Sequence, residues 1–129
     1  MIVIASSVSL RVRDVPAAAE FFTTHLGFRE DVRTEDVVLL TRDDGAADIV
    51  LRERDPESVP PADPARDPLA DVLVSFSVTD IAAEHDRLRR EGANLLGPLR
   101  RTPWGEWTVR IADPNGVVVQ LTEWDPPSG

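Results

Sequence analysis

The chain has 129 residues, is 42% hydrophobic, and sets 23 acidic against 14 basic side chains for a formal net charge of −9. That balance repels nucleic-acid phosphates and argues against DNA or RNA as partners, while the lack of cysteine excludes disulfides, thiolate metal sites and thiol catalysis. No apolar run approaches the roughly 18–20 residues of a membrane span, so no membrane partner is expected and the expected location is the cytoplasm.

In chain order, Met1-Ile2-Val3-Ile4-Ala5 lacks the basic flank and the length of a signal peptide and is expected to lead into a first strand. That strand is predicted over about Val3 to Arg13, with Val8, Leu10 and Val12 on one side and Ser7, Ser9, Arg11 and Arg13 on the other. Asp14 is placed to cap a helix that has Pro16 in its first turn, Phe21, Phe22 and Leu26 as its apolar stripe, and Gly27 as its stop. Phe28 opens a further strand and Glu35-Asp36 marks a turn. Val37-Val38-Leu39-Leu40 and Ile49-Val50-Leu51 read as two strands joined through the hairpin signal Asp43-Asp44-Gly45. Residues 1–54 thus read β-α-β-β-β.

Residues 55–70 carry prolines at 56, 60, 61, 64 and 68 and no hydrophobic period, which predicts a stiff linker. The pattern then restarts. Val74-Ser75-Phe76-Ser77-Val78-Thr79-Asp80-Ile81 matches Val8-Ser9-Leu10-Arg11-Val12-Arg13-Asp14-Val15 at two valines, a serine and the aspartate. A repeated supersecondary unit means two copies of one module. A strand is predicted over Asp71 to Thr79, then a helix capped by Asp80 and running to about Glu91, with Ile81 and Leu88 inward and Gly92 as its stop. A short strand around Leu99, another over Trp107 to Ala112, the turn Asp113-Pro114-Asn115-Gly116 and a last strand over Val117 to Thr122 complete a second β-α-β-β-β unit across residues 71–124. Residues 125–129 form a tail. By size the whole is one domain.

Two such modules resemble the vicinal oxygen chelate superfamily, which contains glyoxalases, extradiol dioxygenases, fosfomycin-resistance enzymes and bleomycin-resistance proteins. The residues that carry the resemblance are Val8-x-Leu10-x-Val12-x-Asp14, Phe21-Phe22 with Leu26-Gly27-Phe28, and the closing run Asp113-Pro114-Asn115-Gly116-Val117-Val118-Val119-Gln120-Leu121. It implies an α+β fold in which two βαβββ modules form a curled mixed-sheet cup with the helices outside, commonly in a homodimer. It also implies metal ligands at one position of each module's first strand and one of its last strand. Those positions here are Ser7, Leu73, Val50 and Gln120. Serine, leucine and valine are not ligands for Zn, Ni, Mn or Fe, which require imidazole, carboxylate or thiolate donors. Gln120 alone offers one oxygen, so neither a metal nor another cofactor is expected.

His25 and His85 both fall on the predicted helices and are expected outside the cup as solvated or capping residues. Glu106 and Glu123 are the nearest carboxylates to it, and without a histidine they make no facial triad. No nucleophile–base pair stands out, and no catalytic residue is assigned.

Alternation within the cup that the resemblance implies places Ser7, Ser9, Leu73, Ser75, Ser77 and Gln120 along its lining, a small-polar surface suited to orienting a mostly apolar ligand. Trp104 and Trp107 stand opposite the second module's entry, in a chain with no Tyr and four Phe. An indole there would stack on a flat conjugated ligand or a cation, an interaction worth about 0.5–2 kcal/mol; otherwise an indole fills the core or a dimer interface. Trp124 is left between the cleft and that interface. The acidic surface speeds the arrival of a cation.

The leading expectation is a metal-free binding protein that sequesters a cationic or flat aromatic antibiotic of the bleomycin, mitomycin or enediyne type. The alternative is a glyoxalase- or dioxygenase-like enzyme acting on a small secondary metabolite, with a non-standard metal or none and with Glu106, Arg110 or Ser75 in its chemistry.

Overall fold

Alternation along Ser7–Val12, strand β1, leaves Ser7, Ser9 and Arg11 exposed and Leu10 and Val12 buried. The computed structural model describes residues 1–35, 37–53 and 73–124. The chain divides into two units, Met1–Asp67 and Pro68–Gly129. The expected linker, the expected strand start at Asp71 and Val72, the tail at 125–129 and Asp36 of the first turn lie outside the described residues.

In the first unit β1 is followed by α1 (Val15–Leu26), β2 (Arg29–Arg33), β3 (Val37–Thr41) and β4 (Asp48–Glu53). The sheet order is β1-β4-β3-β2, with β1 parallel to β4 and the other pairs antiparallel. The strand begins at Ser7 rather than Val3 because its ladder partner begins at Asp48, and Met1 to Ile4 are exposed.

Asp14 caps α1 as expected, its Oδ1 accepting from the Ala17 amide at 3.0 Å. Gly27 closes the helix in the left-handed conformation at φ 69°, its amide donating to the Phe22 carbonyl. A side chain at Gly27 would also meet the Arg42 guanidinium, whose Nη1 donates to the Leu26 carbonyl. Phe22 is fully buried and meets Phe21 and Phe28 edge-on at ring-centroid distances of 5.4 and 5.5 Å. Leu10, Val12, Val38, Leu40, Ile49 and Leu51 are buried as well and form the apolar face of the sheet.

The second unit repeats the plan with β5 (Leu73–Ser77), α2 (Ile81–Arg90), β6 (Asn94–Leu95), β7 (Arg100–Arg101), β8 (Glu106–Ala112) and β9 (Val118–Trp124). The order is β5-β9-β8-β6, β7 pairs with β8, and β5 runs parallel to β9. Val74, Ile81, Leu88, Val109, Ile111, Val117, Val119 and Leu121 make an aliphatic core. Before β9, the Asp113 carboxylate accepts from the Asn115 and Val117 amides at 2.9 and 2.7 Å, which fixes the expected turn.

The α+β class and the paired βαβββ modules stand. Two local expectations do not. Leu99 is in no strand; β6 and β7 flank it, because Gly97 at φ 143° and Pro98, which has no amide to donate, interrupt the ladder. Asp80 caps nothing with its side chain. It sits in the left-handed conformation at φ 54°, the only described non-glycine residue to do so. Glu123 of β9 caps α2 instead, accepting from the Asp80 and Ile81 amides at 2.7 and 3.1 Å. Among the described residues no helix is long and apolar enough to cross a membrane.

Candidate ligand-binding face

Each sheet has one face in its unit's apolar core and one left open by strand alternation. On the second unit's open face the ladder registers align side chains from three strands into rows. Leu73, Val118 and Ala112 form the first, and Ser75, Gln120 and Arg110 the second. Ser77, Thr122 and Thr108 form the third, and Trp124 with Glu106 the last.

The second and third rows are hydrogen-bonded across the strands. The Arg110 Nε donates to Gln120 Oε1 at 2.9 Å, and the hydroxyls of Ser77 and Thr122 lie 3.3 Å apart. Gln120 and Thr122 are buried although they lie on the open side, while Ser75, Ser77 and Arg110 are exposed. A buried amide must be hydrogen-bonded or suffer a desolvation cost of about 1–3 kcal/mol, and Arg110 supplies the bond to its oxygen.

The corresponding row of the first unit is Ser9, Val50 and Leu39, flanked by Ser7 with Asp48 and by Arg11 with Arg52 and Val37. It presents one hydroxyl between aliphatic side chains where the second unit presents an amide and a guanidinium. Expected site residues therefore separate by unit: Ser7 and Ser9 share one open face, and Leu73, Ser75, Ser77 and Gln120 share the other.

The indoles separate as well. Trp107 pairs in register with Glu123, on the side of β8 and β9 that also bears Val109 and Leu121. It thus stands on the face opposite Gln120, which alternation alone would have shown. Trp104 is 67% exposed at the turn between β7 and β8, where the Gly105 amide donates to the Thr102 carbonyl. Trp124, omitted from the expected set, is the indole on the Gln120 face, 54% exposed. Arg110 was named only as a catalytic alternative, although its place opposite Gln120 follows from pairing the two strands through the Asp113 turn.

The four positions at which the resemblance implies metal ligands carry few donors. Val50 and Leu73 offer none, Ser7 is an exposed hydroxyl opposite Asp48, and the Gln120 oxygen already accepts from Arg110. Those residues do not fit a transition metal. His25 packs edge-on against Phe21 at 5.7 Å within α1, and His85 lies on α2 with Asp86 at 3.8 Å. Glu123 is engaged as the α2 cap. Among the described residues no three His, Asp or Glu side chains gather where one ion could be held.

The family model for the glyoxalase/bleomycin resistance protein/dioxygenase superfamily matches residues 4–121. No curated protein matches the sequence as a relative. Among solved structures, a glyoxalase/bleomycin resistance protein/dioxygenase from Nocardioides is 20% identical, covers 100% of this chain and 90% of its own, and superposes with a TM-score of 0.76. TnmS3, an antibiotic binding protein from Streptomyces sp. CB03234, is 22% identical over 96% of this chain and 98% of its own, with a TM-score of 0.72. A lactoylglutathione lyase from Agrobacterium tumefaciens is 21% identical over 92% of this chain and 91% of its own, with a TM-score of 0.71. At these identities the likeness is one of fold.

Proposed function

The chain belongs to the glyoxalase/bleomycin resistance protein/dioxygenase superfamily, and from that premise we propose that it binds a flat natural product on the open face of its second sheet, without a metal, as a sequestering antibiotic-resistance protein. The observation that carries the reading is the engagement of Gln120. The one residue at the family's metal positions able to donate an oxygen spends it on Arg110, and the row it belongs to presents hydrogen-bond donors instead of ligands. Apolar Leu73 and Val118 on one side of that row, and Trp124 beyond the hydroxyls on the other, give a flat ligand surfaces to lie against. The likeness to TnmS3 is in keeping with this reading. The cytoplasmic location and the homodimer are part of the same proposal; light scattering during gel filtration tests the second.

Two measurements on the intact protein test the reading. Elemental mass spectrometry after incubation with Zn, Ni, Mn and Fe(II) and desalting should find far less than one metal per chain. Titration with bleomycin, mitomycin and an enediyne should change the indole fluorescence, since Trp104 and Trp124 are both exposed. Stoichiometric metal would replace sequestration with catalysis. Saturable binding without turnover, weakened by Trp124→Ala, is the expected result; unchanged affinity in that variant would move the ligand off this face.

A further inference from the structure

Arg110 differs from four other paired arginines among the described residues. Arg29, Arg33, Arg42 and Arg87 are each engaged by carboxylates, from Asp43, Glu30, Asp44, and Glu84 with Glu91 respectively. The Arg110 guanidinium is held through Nε by the neutral oxygen of Gln120, and among the described residues no carboxylate pairs with its terminal nitrogens. Glu106 lies on the same face but four residues along β8, about 13 Å away at the rise of a strand.

Gln120 is only 9% exposed, so its side chain is fixed by its surroundings, and a guanidinium bonded to it loses rotamer freedom before any ligand arrives. With Oε1 accepting from Arg110, the Gln120 NH2 group remains as a donor, and Ser75 is the register partner of Gln120 across β5 and β9. The row therefore offers the Arg110 fork, an amide N–H pair and a hydroxyl. Donors outnumber acceptors, and the fork keeps its positive charge. A planar guanidinium with two free N–H groups matches the two oxygens of a carboxylate or sulfonate.

We propose that Arg110, positioned by Gln120 beside Ser75, docks an oxyanion group of the ligand, a carboxylate or a sulfonate, on the open face of the second sheet. This rests on the ligand-binding reading of that face and adds the chemistry of the group it holds. The net charge of −9 favours cations at long range, but exposed charges are screened beyond about 8 Å at physiological ionic strength. Within hydrogen-bonding distance the donors of this row decide.

The test uses two fluorescent probes with one ring system: anilinonaphthalene sulfonate, and phenylnaphthylamine, which lacks the sulfonate. Both are titrated into the full chain and into Arg110→Gln and Gln120→Glu, with circular dichroism to show that each variant is folded. Wild type should prefer the sulfonate. Arg110→Gln should weaken it about tenfold or more, the size of a charge-assisted hydrogen bond, and leave the neutral probe within about twofold. Gln120→Glu keeps an acceptor for Nε but adds a negative charge, and should erase the preference as fully. Equal weakening of both probes, or a sulfonate affinity untouched by Arg110→Gln, overturns the docking role and leaves the face as an apolar binder. Failure of both probes to bind wild type overturns the open-face reading, and the docking role with it.

Discussion

The two modules share a strand–helix motif and a sheet order, yet the same aspartate does different work in each. Asp14 caps α1 from one residue before the helix, a local device complete within four residues. Asp80, its counterpart, is left-handed and caps nothing with its side chain; α2 takes its cap from Glu123, at the far end of the last strand. The cores differ in the same sense. The first is built on edge-on phenylalanines and the second on aliphatic side chains. The open faces differ most, since Ser9-Val50-Leu39 is matched by Ser75-Gln120-Arg110. A duplicated unit keeps its hydrogen-bonded frame, while side chains off the frame are free to diverge.

The sharpest way to break the comparison is at the cores. Phe22→Ala removes a fully buried ring that meets two others, and should cost about 3–5 kcal/mol in denaturant unfolding. A loss near 1 kcal/mol would mean that the ring cluster does not hold the first module together. Next come the caps. Glu123→Ala leaves two amides of α2 without their charged acceptor and should cost about 1.5–3 kcal/mol. Asp14→Ala removes the cap bond from the Ala17 amide and should cost about 1 kcal/mol. If Asp14→Ala proved the costlier of the two, the long-range cap would be incidental to α2.

Much of this frame was legible in the sequence, and the reason is physical. Period-two alternation in Val8-Leu10-Val12, the Pro16 helix start, the Gly27 stop and the Asp113 turn are all set by bonds within a few residues. So the α+β class and the order of elements could be read without a structure. The Asp80 cap failed because its replacement lies in another strand, and no local pattern points from Asp80 to Glu123. The strand expected around Leu99 lies instead at Arg100–Arg101, since the adjacent Gly97-Pro98 cannot continue a ladder. Strand alternation places Ser75, Ser77 and Gln120 on one side of the second sheet, and the ladder does the same. Arg110 and Trp124 join those residues through the β8–β9 register, which follows once the two strands are paired across the Asp113 turn. Trp107, expected either at the cleft or in the core or an interface, stands on the side of β8 that bears Val109.

Asp80 offers a subtler test, in which the sign is the result. Its left-handed backbone at φ 54° strains an L-residue, and its side chain makes no cap bond. Asp80→Gly should therefore leave stability unchanged or raise it by up to about 1 kcal/mol. The same change at Asp14, which is extended at φ −128° and does cap its helix, should lower stability by a few tenths of a kcal/mol. Thermal unfolding of the two variants reads the difference, and a loss in both would show that Asp80 holds the turn by more than its backbone.

The smallest effect concerns charge in the first module. Hydrogen bonds from Arg29 and Arg42 lower the Asp43 and Asp44 pKa values, and Arg33 does the same for Glu30. A carboxylate whose pKa is lower folded than unfolded stabilises the fold above its unfolded value, and loses that contribution as pH falls through the folded value. The contribution should thus be whole at neutral pH, begin to fall near the ordinary values of 3.8 for aspartate and 4.5 for glutamate, and be gone only below the lowered folded values. All three groups are largely in solvent, where ion pairs are weak and screened. Relieving the net charge of −9 on acidification works in the opposite direction, so the wild-type profile alone is ambiguous. The difference in Tm between wild type and Asp43→Asn is not. It should be small at pH 7, shrink in high salt, and vanish in acid. A difference that persists in acid strong enough for the difference profile to have levelled off would assign Asp43 a role in the hairpin that does not depend on its charge.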